Sequence, residues 1–206
     1  MWLLVISQME KARLALINGD KDLAREIHMN EKRVDAFELK IDMDSENILM
    51  LKNPVAIDLR FILSVLKINY NLERDGDYAN SIARSAGSSI SPMPEDILQS
   101  THLPEMFFTA QLMLRESLSA FENADRSRVN QLFAMDEKLD KVNNKSLSII
   151  SGLIQQNPGN SMLLLEAFSI MKKLERTGDH VVNIAEELIY YFDANIVKHS
   201  KLSNLK

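Results

Sequence analysis

Along most of the chain apolar residues recur three and four positions apart, as in Met9, Ala12 and Leu16 and again in Ile62, Val65, Leu66 and Leu72. That spacing is one face of an α-helix. The breaks are few: Asn18-Gly19-Asp20, Asn53-Pro54, Asn123-Ala124-Asp125 and Asn157-Pro158-Gly159-Asn160. Gly19 before Asp20 reads as a helix C-cap followed by an N-cap, and Pro54 as the first turn of a new helix. Three of the five prolines fall between Ser88 and Pro104, which makes that stretch the one long connector. The pattern predicts six helices, over roughly 2–18, 20–51, 54–88, 104–122, 125–156 and 160–198, and an all-α fold.

The order short, long, long occurs twice, and the residues repeat with it. Aligning Asp20 with Asp125 pairs Glu31 with Asp136 and Asp35 with Asp140. Further on, Leu72-Glu73-Arg74-Asp75-Gly76-Asp77 pairs with Leu174-Glu175-Arg176-Thr177-Gly178-Asp179, and Ile82-Ala83 with Ile184-Ala185. From Leu72 to Ala83, 7 of 12 positions match their counterparts. The chain is therefore a tandem duplication: a first three-helix repeat over 1–90, a connector over 91–103, a second repeat over 104–198 and a polar tail over 199–206.

Composition narrows the function classes. With 46% hydrophobic residues in 206, the chain can bury a real core. The absence of cysteine removes disulfides, thiolate metal sites and cysteine nucleophiles. A net charge of −5, with no Lys/Arg run longer than two, argues against nucleic acid as a partner. The apolar run Trp2 to Ile6 is too short for a membrane span and has no basic leader or cleavage site. The methionines, including Met106, Met113, Met162 and Met171, sit at helical spacing and read as core filler.

The candidate chemistry lies in four pairs of carboxylates: Glu31/Asp35, Glu73/Asp77, Asp136/Asp140 and Glu175/Asp179. Each is spaced i, i+4, so both side chains leave one face of a helix a turn apart. Like charges so placed destabilise an exposed helix by about 0.2–0.5 kcal/mol. One pair would mean nothing, but two per half at matching positions form a pattern. On the third helix, Ile62, Leu66, Asn69, Glu73, Asp77 and Asn80 share one side, so the acids continue an apolar seam. Carboxylates edging toward a helix interface call for neutralisation, by Arg74 and Arg176 or, better, by a cation held between facing helices. Gly76 and Gly178, each about 1 kcal/mol worse than alanine in mid-helix, point to close helix approach at that level. The competing reading is a pair of solvated acidic faces.

The block Leu-Glu-Arg-x-Gly-Asp-x-x-x-x-Ile-Ala, best kept in Leu174 to Glu186, resembles the PhoU family of phosphate-uptake regulators. Asn53-Pro54-Val55-Ala56-Ile57-Asp58-Leu59-Arg60 is similar to that family's Gln-Pro-x-x-x-Asp-Leu-Arg, and the resemblance spans essentially the whole chain. It implies two three-helix bundles side by side and multinuclear metal sites, with iron or zinc foremost and manganese or magnesium also compatible. Carried over by residue, the first site would use Glu31, Asp35, Glu73 and Asp77, and the second Asp136, Asp140, Glu175 and Asp179. It also implies a cytoplasmic, non-enzymatic regulator, peripheral to the membrane at most and compatible with a homodimer. Such a protein would dock on the phosphate transporter ATPase, a phosphate-sensing histidine kinase or both, repressing starvation signalling. Three residues depart from the family pattern: Asp75 stands where a hydrophobic residue is favoured, Tyr78 opposite His180, and Ser81 opposite Asn183. Asp75 is expected on another face from Glu73 and Asp77. Family members carry about a dozen residues ahead of the position of Met1, so the first helix is expected to be short.

Two other functions remain in view. The soluble domain of a sodium–phosphate cotransporter also resembles this family. A metal-dependent phosphoester hydrolase would use clustered carboxylates too, but no general base, cationic clamp or phosphate loop accompanies them. His28, His102, His180 and His199 are scattered. His28 and His199 read as surface residues, and His180 beside Asp179 either as a support for a metal ligand or as surface. Tyr190-Tyr191-Phe192 reads as a partner contact or as packing against the first helix.

Overall fold

The computed structural model describes residues 1–88 and 92–196. Its helices are α1 (Trp2–Asn18), α2 (Lys21–Lys52), α3 (Ile57–Ser88), α4 (Glu95–Ser100), α5 (Leu103–Asn123), α6 (Arg126–Gln156) and α7 (Ser161–Asp193), with a 3-10 turn at Pro158–Asn160. No strand occurs among the described residues. The six expected helices are present. The connector is more ordered than its prolines suggested, because α4 forms within it. Pro94 stands at its N-cap, Glu95 and Asp96 lie in its first turn, and Ile97 and Leu98 are buried.

Equivalent turns start the long second helix of each half. Gly19 (φ 64°) and Ala124 (φ 51°) are left-handed. The carboxylate after each accepts two backbone N–H bonds: Asp20 from Asp22 and Leu23, Asp125 from Ser127 and Arg128. Each cap is worth about 1 kcal/mol. Pro54, expected inside the first turn of α3, lies before it instead. Left-handed Asn53 and Ala56 (φ 47° and 49°) turn the chain, and the helix begins at Ile57. At the other end α7 stops at Asp193, short of the expected 198, where Ala194 turns left-handed (φ 55°). The polar tail and His199 lie outside the described residues.

In the first half α2 packs on α1 and α3, and in the second α5 packs on α6 and α7. The halves join through α3 against α7 and α1 against α5. Contacts from Ser64–Glu187 to Tyr78–Arg176 run in opposite directions along α3 and α7, so those two helices are antiparallel. One core runs through both halves, from Met9 and Ile27 to Phe107, Met113 and Leu174. Met106, Met113 and Met171 are fully buried in it. Met162 is 77% exposed, so the assignment of core filler fails for that residue; it sits in the first turn of α7, beyond the packed part of the helix pair. The aromatic run near the end of α7 packs mainly on α3: Tyr191 lies 5.3 Å from Phe61, and Lys67 caps the Tyr190 ring. Phe61 continues through Phe121 to Trp2, so this chain of rings links α7 to α1 by way of α3 and α5.

Candidate metal centre

Helix crossings position both acidic clusters. Gly76 presses against α2, where a Cβ would stand 3.2 Å from a Val34 methyl. Glu31 and Asp35 flank Val34 in sequence, as Glu73 and Asp77 flank Gly76, so the crossing brings the two pairs to one side. The charges feel each other. Burial, then Asp77, with smaller contributions from Glu38 and Asp35, pushes the Glu73 carboxyl up to about 7 against the opposing Arg74. Burial raises Asp77 as well; Arg74 opposes the rise, while Glu31 and Asp35 add to it.

The second crossing is tighter. A Cβ at Gly178 would fall 2.5 Å from Asp136 Oδ1 and 2.8 Å from Leu139 Cδ1. Burial, then Asp140, Asp179 and Glu175, pushes Asp136 up to about 7. Glu175 rises through burial and Asp179, and Asp179 through burial and Asp140. Asp136 Oδ1 is buried and has no hydrogen-bond partner. A carboxylate oxygen left without a donor is costly unless something cationic faces it.

The two clusters differ in what neutralises them. Arg74 lies 3.5 Å from Glu73 and 3.6 Å from Asp77. Arg176 has no carboxylate at ion-pair distance among the described residues, and its Nη1 reaches instead toward the Tyr78 hydroxyl at 3.5 Å. Glu175 accepts a hydrogen bond from Asn143 (2.8 Å). The first cluster also holds acids the pairing rule passed over. Glu38, at the position of Asn143, is raised by burial and then by Asp42, and Asp42 accepts from Asn69. Asp35, Glu38 and Asp42 are spaced three and four apart, which was the available signal. As the side chains stand, no three His, Asp or Glu residues among those described converge closely enough to hold an ion. The donor set nonetheless fits one: all-oxygen ligands from two facing helices, mutually repelled, with one oxygen orphaned.

Behind the clusters the α3/α7 seam is polar. Asp75, fully buried, lies 2.9 Å from His180 Nδ1. Burial raises its pKa to about 6 against the pull of that histidine. Asp75 does face away from Glu73 and Asp77, as expected. His180 is mostly buried rather than a surface group, and it bridges the halves, stacked on Tyr78 at 5.3 Å. The repeats differ at both positions, Asp75 for Thr177 and Tyr78 for His180, and Asp75 of the first copy meets His180 of the second across the seam. Asn183 to Asn71 and Lys67 to Glu187 extend it. His28 is exposed, 3.3 Å from Glu31.

The family model for the PhoU domain matches the chain twice, over residues 1–86 and 103–188. The chain belongs to the PhoU family. Both matches coincide with the two halves of the fold. A Pseudomonas aeruginosa relative, described as a phosphate-specific transport system accessory protein PhoU homolog, is 31% identical over 98% of this chain and 84% of its own. A Borreliella burgdorferi relative of the same description is 32% identical over 91% and 85%. The crystal structure of PhoU from Pseudomonas aeruginosa superposes with a TM-score of 0.87 at 29% identity, covering 95% of this chain and 93% of that one. The phosphate transport system regulatory protein PhoU from Streptococcus pneumoniae gives 0.83 at 28%, covering 95% and 91%. No helix among the described residues is long and apolar enough to cross a membrane.

Proposed function

We propose that this chain is a cytoplasmic, metal-binding regulator of phosphate uptake, acting by docking on the phosphate transporter ATPase, the phosphate-sensing histidine kinase or both. The uptake role rests on relatives described as accessory proteins of phosphate-specific transport. The metal reading rests on one observation: the same four-carboxylate constellation occurs twice at equivalent crossings, and Asp136 Oδ1 has no partner. Glu31, Asp35, Glu73 and Asp77 would hold the first site, and Asp136, Asp140, Glu175 and Asp179 the second. The family resemblance points to iron or zinc as the ion, while an all-carboxylate set by itself also accommodates manganese or magnesium. A bound cation supplies charge neutralisation and no reaction step. The chain contributes rigid helix crossings that keep the anions together at the cost of their mutual repulsion.

Replacing Glu175 and Asp179 together with alanine tests the metal reading. Removing two of four anions weakens the attraction for a cation and relieves about 0.2–0.5 kcal/mol of i, i+4 repulsion. The variant should carry less metal by elemental analysis after chelator-free purification. Its metal-free form should melt at or above metal-free wild type. Unchanged metal content, or a metal-free variant that melts far lower, would show the acids to be structural. The uptake role is tested separately, by whether deleting the gene leaves starvation signalling active when phosphate is abundant.

A further inference from the structure

Helix α2 carries a second apolar stripe, on the side away from its core. Its inward face is Ile27, Val34 and Ser45, buried where α2 packs on α1 and α3. About half a turn round the axis lie Met29, Ala36, Leu39, Met43 and Met50, all exposed, the four large side chains at 62% to 74%. Met29, Ala36, Met43 and Met50 recur every seven residues, and Leu39 falls three after Ala36. Lys32 and Glu46 hold the two positions equivalent to Leu39 in the neighbouring heptads. That is the spacing of a helix that pairs with another helix.

The duplication shows that the fold does not require this stripe. In α6 the same positions are Ala134, Lys141, Asn144, Ser148 and Gln155, all exposed. There Lys141 lies 3.9 Å from Glu137 along the surface, as on an ordinary solvated helix. The connector does not account for the difference either. α4 packs on α5 and α7, so a counterpart in the first half belongs beside α1 and α3, away from the outer face of α2. An exposed row of methionine and leucine about 32 Å long, at 1.5 Å per residue, marks a surface that a partner covers.

The charges in the stripe say which partner. Lys32 and Glu46 each stand seven residues from Leu39, on opposite sides of it. An antiparallel pair of α2 helices with Leu39 at its two-fold axis therefore sets Lys32 of each copy against Glu46 of the other. Within one residue it also sets Ala36 against Met43, small against large, and Met29 against Met50. A parallel pair would instead place lysine on lysine and glutamate on glutamate. We infer that two copies of this chain associate through the outer faces of α2, antiparallel, with Leu39 at the axis. The inference goes beyond the proposed function and does not require bound metal. Asp35 and Asp42 flank the stripe, so association is measured at about 0.15 M salt, where exposed charges more than about 8 Å apart are largely screened.

Sedimentation equilibrium of the full chain, in chelator so that no metal bridges the copies, should show a monomer–dimer equilibrium. Leu39→Asn/Met43→Ser copies Asn144 and Ser148 from the outer face of α6. It should raise the dissociation constant at least about tenfold with helix content unchanged. Lys32→Glu should weaken the dimer, and Lys32→Glu/Glu46→Lys should restore it, since the exchanged charges again face each other. The chain has no cysteine, so single cysteines report the register. Oxidised Leu39→Cys should cross-link to itself across the axis, whereas Met29→Cys should cross-link only when mixed with Met50→Cys. A chain that stays monomeric at about 100 μM, or a dimer that Leu39→Asn/Met43→Ser leaves intact, overturns the inference. So does a Met29→Cys chain that cross-links to itself more readily than Leu39→Cys, the mark of a parallel pair.

Discussion

The two helix-crossing glycines should respond oppositely to the same substitution. At Gly178 an added methyl falls 2.5 Å from Asp136 Oδ1 and 2.8 Å from Leu139 Cδ1, both inside contact distance. Leu139 is 1% exposed and belongs to the packed core. Such overpacking costs about 1–3 kcal/mol, against a helix-propensity gain of about 1 kcal/mol for Gly→Ala. The net for Gly178→Ala is about zero to 2 kcal/mol of lost stability. At Gly76 the nearest atom is a Val34 methyl at 3.2 Å, which a shift of a few tenths of an ångström accommodates. There the propensity gain of about 1 kcal/mol survives, less a small packing cost. The two variants should therefore differ by about 1–3 kcal/mol, or about 2–12 °C in melting temperature for a chain of this size. Paired thermal melts in chelator measure that gap. Gly178→Ala should also carry less metal, because Asp136 is the group its methyl displaces, while Gly76→Ala should not. If Gly178→Ala melts at or above Gly76→Ala, the tight second crossing is not what holds Asp136 in place.

The fold was legible because its signals are local and occur twice. Helical spacing, an Asp N-cap after a left-handed residue and a 7-of-12 match between copies each needed only one window of sequence. What escaped was whatever depended on a partner elsewhere in the chain. α4 was hidden because its six residues are too short to show a period; Ile97 and Leu98 make sense only beside α5 and α7. Glu38 and Asp42 were passed over because their counterparts in the second repeat, Asn143 and Leu147, are not acidic, so a search keyed to repetition discards them. Asp75 was read as a departure on its own and His180 as a ligand support or a surface group, since nothing in one sequence says that α3 runs antiparallel to α7 and sets them 2.9 Å apart. Repetition exposed the clusters, and the places where repetition fails are where the halves meet each other or the solvent.

The pH dependence follows from the raised acids. Glu73 and Asp136, pushed to about 7, bind protons more tightly folded than unfolded, so stability of the metal-free protein should fall as pH rises from about 5 toward 8. Denaturant titrations in chelator should show that slope, and Glu73→Gln with Asp136→Asn should flatten it; a slope of opposite sign would refute the crowding of these carboxylates. Adding iron or zinc should reverse the trend, since ligation favours the deprotonated acids, which melts with and without metal at pH 8 would show. The seam makes a sharper demand. His180→Phe keeps a ring on Tyr78 but leaves the fully buried Asp75 without its partner. Breaking a buried pair from one side costs about 3–5 kcal/mol. At about 2–4 °C per kcal/mol that lowers the melting temperature by at least about 6 °C at neutral pH, and by less in acid, where Asp75 protonates. The opposite repeat supplies the repair. Thr177 occupies the position equivalent to Asp75, buried, with its hydroxyl donating to the Lys173 carbonyl at 3.1 Å. A threonine at 75 would have the Asn71 carbonyl in the same relation, one helical turn back. The double variant Asp75→Thr/His180→Tyr, which copies Thr177 and Tyr78 into the other half of the seam, should therefore recover most of the loss. If it is no more stable than His180→Phe, Asp75 and His180 are not a compensating pair, and some other contact holds the halves together at this level.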